Sequence, residues 1–226
     1  MQSLKDAPLA RESGQNSIDS NKEDENKLIL KLNLVEKSSD TIEDNNFLNS
    51  LYNHVAHPDS GLSVRKPKKN EKFRFLVIED FNTRGVRGDL LFTDDGDNEN
   101  LKISHQDVYH LFRSLQMTGK NSEGNDDLGS WGIGKNMYAQ TSDMGCFLGY
   151  SIRDDKESEF LFGMSILQVH NIDGVKYDST GNFGYGDSQP DKVTAPVTDQ
   201  NILNNFKKSF ELERTDEKGL SIVIPC

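Results

Sequence analysis

Glu12 and Asn16 stand four apart in the run Arg11 to Ser20, RESGQNSIDS. On a helix that spacing puts both side chains on one face. A carboxylate so placed can polarise a water, and an amide oxygen one turn later can ligate a hard cation. Asp80 ends the apolar run Phe73 to Asp80, FRFLVIED, and a loop with glycines, FNTRGVRGD, follows it. A carboxylate at the mouth of a strand is a fixed hydrogen-bond acceptor. Gly129, Gly132 and Gly134 fall within Leu128 to Tyr138, LGSWGIGKNMY, and Lys135 follows directly. Glycines this close let the backbone turn sharply and bring bare N–H groups near an anion. Residues from Asn136 to Ala139 can form a helix, so the glycines are expected at its N-terminus, where the helix dipole favours phosphate. A helical carboxylate and amide, a strand-end carboxylate and an anion loop together suggest a nucleotide site.

These groups need elements to hold them. Leu4 to Ser20 is predicted as a helix, interrupted near Pro8. Leu28 to Glu36 carries leucine at 28, 30, 32 and 34, the period of a half-buried strand. Asp40 to His57 suits a helix that Pro58 follows. Phe73 to Asp80 reads as a central strand. Residues 82–100 are rich in glycine and aspartate, an irregular excursion, and a helix is predicted from His105 to Leu115. Met117 to Asp127 is nearly devoid of apolar residues and reads as a mobile lid of about residues 114–130. Strands are predicted at Gly145 to Arg153 and Glu159 to His170. NIDG is expected as a turn into Val175 to Tyr177, and Thr180 to Pro196 as loop. Ile202 to Phe210 is expected as a short helix and Leu220 to Ile224 as a closing strand. The mixture predicts an α+β fold: a two-layer α/β sandwich, with helices on one face of a mixed, mostly antiparallel sheet.

The 226 residues fit a single domain. A formal net charge of −11 argues against a nonspecific nucleic-acid surface. With only Cys146 and Cys226, a disulfide framework is not expected and a reducing, cytoplasmic setting is. No apolar run reaches a membrane span of about 20 residues. His54 and His57 lack a third histidine or cysteine nearby in the chain, so metal binding is not expected of them.

Taken together the motifs resemble those of the GHKL (Bergerat-fold) ATPases, which include gyrase B, the ninety-kilodalton heat-shock chaperones, histidine kinases and MutL. ESGQN is similar to the family's ExxxN box, Asp80 to the acid of its DxGxG box, and GSWGIGK to its GxxGxG box. GLSIVIP, Gly219 to Pro225, resembles the last box. The third box also looks like that of GHKL proteins from bacterial restriction and phage-defence loci.

The resemblance implies Mg2+-dependent ATP binding and slow hydrolysis, used as a conformational switch. It makes Glu12 the catalytic base and Asn16 the Mg2+ ligand. It makes Asp80 the acceptor for the adenine amine. Asn82 stands where the DxGxG box has its first glycine, and Gly85 comes next; Asn tolerates the left-handed backbone that the turn needs. Phe81 is a candidate to pack on adenine, with a core position the alternative. The phosphates are expected against Gly129, Gly132, Ile133, Gly134 and Lys135, with Lys120 reaching from the lid. Ser221, where the family has the threonine of a Gly-Thr pair, is expected to hold a water against adenine. The implied partners are the nucleotide and an ATP-dependent second copy, with nucleic acid reached only through other domains or partners. A nucleotide-sensing module that binds without hydrolysing is the alternative. The first box opens near Met1 and the chain stops after the last, so a fragment of a longer protein is expected.

Overall fold

The computed structural model describes residues 3–21, 27–39, 47–65, 68, 70–91, 107–108, 131–156, 158–186 and 194–226; for 3–7 and 131–135 this covers the backbone path only. Four helices and eight strands are named among them: α1 Ser3–Asp19, β1 Ile29–Ser38, α2 Asn49–Val55, β2 Lys72–Phe81, α3 Trp131–Thr141, β3 Cys146–Ile152, β4 Glu159–Ile166, β5 His170–Ile172, β6 Val175–Tyr177, β7 Thr180–Phe183, α4 Gln200–Ser209 and β8 Gly219–Pro225. The predicted helix at 105–115 and the lid at 114–130 lie almost wholly outside the described residues.

Six strands form one open sheet in the order β1-β2-β8-β3-β4-β7. Each neighbouring pair runs antiparallel, so the parallel component expected of a mixed sheet is absent among the described strands. The last strand of the chain is inserted at the centre, between β2 and β3. Residues 180–183, expected as loop, instead form β7 against β4, from Gly163↔Phe183 to Ile166↔Thr180. The β5–β6 hairpin turns through Asp173 and Gly174, both at positive φ, the geometry of a two-residue hairpin turn.

The sheet is covered on both faces, which corrects the two-layer expectation. Strand residues alternate between two cores. Phe75, Val77, Leu148, Tyr150 and Val223 face α2 and α4, where they meet Phe47, Tyr52, Phe206 and Phe210. Ile78, Phe147, Phe162, Ile222 and Ile224 face α1 and α3, where they meet Leu9 and Tyr138. The molecule is therefore layered helix, sheet, helix. β3 is buried along its whole length, as a strand covered on both faces must be. α4 starts on Asp199, whose carboxylate accepts from Asn201 N (2.9 Å) and Ile202 N (3.2 Å), an N-cap that satisfies orphan amides of the first turn.

β1 is an edge strand. Of its leucine face Leu30 packs on the α1-side core, whereas Leu32 and Leu34 are 48% and 63% exposed. A period of two is there, but with its faces exchanged along most of the strand: Leu32 and Leu34 point outward, and Val35, on the alternate parity, is the buried residue of β1, which corrects the expected leucine face.

Candidate functional site

Strand parity turns Ile78 and Asp80 toward α1 and sends Glu79 and Phe81 to the other face. Phe81 is thus a core residue, beneath the Arg214 guanidinium (4.7 Å) and the Lys31 ammonium (4.9 Å). Asp80 is 7% exposed. Its Oδ1 accepts from Thr83 Oγ1 and from the Leu220 amide, each at 2.8 Å. Its Oδ2 faces Ser17 Oγ at 3.2 Å. That hydroxyl also lies 2.9 Å from the Ser13 carbonyl. One hydroxyl hydrogen serves one acceptor at a time, so Asp80 Oδ2 keeps capacity for another donor. Burial raises the Asp80 pKa above the ordinary carboxylate value; the Leu220, Thr83 and Ser17 hydrogen bonds and the charge of Arg214 act against this.

The turn after Asp80 keeps the geometry the sequence requires. Asn82 stands at φ 65° and Gly85 at φ 66°, so Asn82 does fill a left-handed position. Its side chain is spent on local structure, with Nδ2 donating to the Lys27 carbonyl at 2.8 Å. At Gly85 a Cβ would lie 2.4 Å from the Ile152 carbonyl oxygen, so glycine alone fits that path. The turn is fastened to the end of α1 through Arg84 N and the Ser20 carbonyl (3.0 Å) and an Asn21–Thr83 bridge.

Between α1, β2, β8 and α3 lies a cavity of about 20 Å³ that Asn16, Asp80, Gly85 and Tyr138 line. Asp80 is the only charged side chain among the described lining residues. Ser13 and Ser17 contribute hydroxyls from α1 and Ser20 from the turn after it, and Leu220 and Ile222 form an apolar wall from β8. Asn16 Nδ2 donates to Tyr138 Oη at 3.3 Å. The Tyr138 phenol is pushed up from its ordinary pKa, first by burial, with the Asp80 and Glu12 charges adding to it. Glu12 therefore acts on this region at a distance; it is half-buried and is not among the lining residues.

The third motif meets the structure differently. α3 already begins at Trp131, so Gly132 and Gly134 lie inside its first turn and not in a loop before it. The expectation that these glycines precede the helix is corrected. The side chains of Ile133 and Lys135, with all of Gly129 and Lys120, lie outside the described residues.

Ser221 is a second correction. It sits on the sheet face opposite the cavity. Its hydroxyl donates to Glu79 Oε1 (2.8 Å) and accepts from Arg214 Nε (3.0 Å). It cannot hold a water in the Asp80 cavity. The residues on either side of it, Leu220 and Ile222, are the ones that reach the site.

Sequence reasoning passed over Ser13, Ser17, Thr83 and Tyr138. The serines at 13, 17 and 20 repeat at helical spacing, a signal that was available. In the sequence Tyr138 reads only as a helix former after the glycines. The arrangement is a buried acceptor beside an amide, a phenol and several hydroxyls. Chemically it can select a planar molecule that presents N–H donors. A scan of protein-family models, a search of curated proteins and a search of solved structures each find no match to this chain.

Proposed function

We propose that this chain binds ATP with Mg2+ at the cavity between α1, β2 and α3 and hydrolyses it slowly, as a GHKL-type ATPase built on a variant of the Bergerat fold. The supporting observation is convergence. Asn16, Asp80 and Gly85, drawn from two motifs separated in the chain, line one cavity in which Asp80 is the only charged side chain among the described lining residues. Asp80 Oδ2 supplies the acceptor for the adenine amine, and guanine, with an oxo group at that position, is rejected. The glycine-containing start of α3 is the place for the phosphates.

Mg2+ fits this donor set as a cation carried by the nucleotide. Among the described residues no three acids, histidines or cysteines converge on a metal. Mg2+ commonly takes its oxygens from phosphates, waters and one or two protein groups, and the Asn16 amide oxygen is that group here. In hydrolysis, water attacks the γ-phosphorus, the bond to the bridging β–γ oxygen breaks, and Glu12 accepts the water's proton. ADP and phosphate leave. The bound and free states then differ at α1 and α3, which offers a switch to a second copy or an adjoining domain. A cytoplasmic setting suits this reading, and no helix among the described residues is long and apolar enough to cross a membrane.

A second reading, a nucleotide sensor without turnover, is favoured by the position of Glu12 outside the cavity lining. Calorimetry with a non-hydrolysable ATP analogue and Mg2+ tests binding. Phosphate release by wild type and Glu12→Gln then separates the readings. Turnover that Glu12→Gln abolishes while keeping affinity supports the ATPase, and no wild-type turnover with retained binding supports the sensor. Absence of binding sinks both.

A further inference from the structure

On the opposite face of the sheet, between α2 and the β4–β7 edge, lies a larger cavity of about 360 Å³. Phe47, just before α2, and Leu51 on α2 close it on one side, Leu148 forms part of its floor, and His54, His170 and Tyr177 stand along its polar side. We propose that it is a second binding site, for an uncharged, flat, bicyclic molecule that presents one N–H or O–H donor to His54. This proposal is independent of the nucleotide site.

Charge excludes the commoner ligands. Among the described lining residues there is no lysine or arginine, and Asp178 is the one acid. Phosphates and carboxylates find no counter-charge there, so nucleotides are not the occupants. Size narrows the class further. An apolar cavity of about 150 Å³ admits benzene, and ligand pockets begin at about 300 Å³. About twice the benzene volume corresponds to two fused rings. One side of the cavity is a cluster of packed rings, an apolar surface on which a flat guest can lie. Tyr177 stacks on His170 (centroids 5.7 Å, 20° between planes) and meets His54 edge-on at 4.6 Å.

The hydrogen-bond chain fixes what the site presents. His170 Nδ1 lies 2.8 Å from the Gln168 carbonyl, which can only accept, so Nδ1 carries the hydrogen. In its imidazole form His170 then has a bare Nε2. His54 Nδ1, 2.9 Å away, must donate to it. That leaves His54 Nε2 bare, an acceptor on a cavity-lining side chain. The relay is anchored, since Gln168 N donates to the Ser60 carbonyl (2.8 Å) and Ser60 Oγ to the Val55 carbonyl at the end of α2 (3.0 Å). Burial, and then the neighbouring His170 and His57, hold His54 below the ordinary imidazole pKa, so it stays neutral at neutral pH. In the sequence His54 had only His57 for company; the fold adds His170.

Indole and N-methylindole are the probes, followed by calorimetry and by the imidazole NMR signals of the whole chain. Indole is expected to bind saturably and to shift the His54 and His170 signals. N-methylindole, with the same shape and no donor, is expected to bind at least about tenfold more weakly, the size of a lost buried hydrogen bond. His54→Phe should reduce indole to the N-methylindole level, and Leu51→Trp, which fills the cavity, should abolish both. Where Leu51→Trp fails to fold, the comparison of the two probes on wild type and His54→Phe decides. Equal affinities for the probes, or no saturable binding of indole, overturn the proposal.

Discussion

Asn16 on α1 donates from Nδ2 to the hydroxyl of Tyr138 on α3 at 3.3 Å, across the cavity that contains Asp80. The bond ties together the two helices that form one wall of the site. The space left, about 20 Å³, holds one water and no more. On the proposed reading adenine enters only if α1 and α3 part, and the Asn16–Tyr138 bond opposes that motion. Tyr138→Phe keeps the ring, with its edge contact to Phe147 at 5.4 Å, and removes the tie. A neutral hydrogen bond contributes about 1 kcal/mol. The variant should lose about that much unfolding free energy in a denaturant titration, and should bind a non-hydrolysable ATP analogue about fivefold more tightly by calorimetry. Weaker binding would mean that the hydroxyl contacts the nucleotide directly.

Asp80 should make nucleotide affinity and stability respond to acid in opposite directions. Its folded-state pKa is raised above 3.8, chiefly by burial. As pH falls through that raised value, the folded protein takes up a proton before the unfolded chain does. Over the window from the raised value down to about 3.8, this group's contribution to stability grows, because the cost of burying charge is relieved. Over the same window a proton on Oδ2 turns that oxygen into a hydroxyl donor and removes the negative charge, which weakens the proposed bond from the adenine amine. Analogue affinity should fall in that range while the Asp80-specific part of the melting temperature rises. Asp80→Asn should lose both trends, measured as the difference from wild type at each pH.

The two thiols should differ sharply in reactivity. Cys146 is fully enclosed in β3, and burial pushes its thiol up to about 12. Cys226 is half-buried at the chain end, with its pKa also raised by burial. A disulfide exchange reagent at neutral pH should therefore modify Cys226 slowly and leave Cys146 untouched until the protein unfolds, because the thiolate is the reacting form. Rapid labelling of both thiols in buffer would show that the β3 core opens on the assay timescale.

Much of this was legible because local chemistry and tertiary placement agree. The run FRFLVIED became β2 with Asp80 at its mouth, and Asn82 took the left-handed backbone that its amide side chain tolerates. Three features were not legible, for separate reasons. The runs CFLGYSI and EFLFGMSI are apolar at nearly every position, the pattern of strands covered on both faces, yet helix order alone does not say which side each helix takes. α3 starts ahead of Gly132 because its tertiary packing, chiefly on α1 and also on β3, β4 and β8, overrides glycine's modest penalty in a helix. Ser221 was assigned to the wrong face because adjacent strand residues point oppositely. A motif placed one residue out of register exchanges the site for the far core.

That exchange has a consequence at Arg214, which is fully buried and has no counterpart in the motifs. It donates from Nε to Ser221 Oγ (3.0 Å), from Nη1 to the Glu217 carbonyl (2.7 Å), and from Nη2 to the Leu220 (3.1 Å) and Asp80 carbonyls. The planar guanidinium thus ties the backbone of Asp80 to the strand that supplies the Asp80 side chain with its Leu220 donor. Lysine cannot span four acceptors in one plane. Arg214→Met should destabilise the fold by about 3–5 kcal/mol, the cost of removing one member of a buried charged network, and Arg214→Lys, which keeps the charge and loses the fork, should cost less but still destabilise. Ser221→Ala deletes only the hydroxyl between Arg214 and Glu79, and should cost about 1–3 kcal/mol by leaving Glu79 a donor short. On the far side of the sheet from the cavity, it should leave nucleotide affinity within about twofold, since no contact to the ligand is lost. If Ser221→Ala weakened analogue binding tenfold or more at full folding, as calorimetry below the melting transition would reveal, Ser221 would have to reach the nucleotide after all. The strand parity of β8 forbids that.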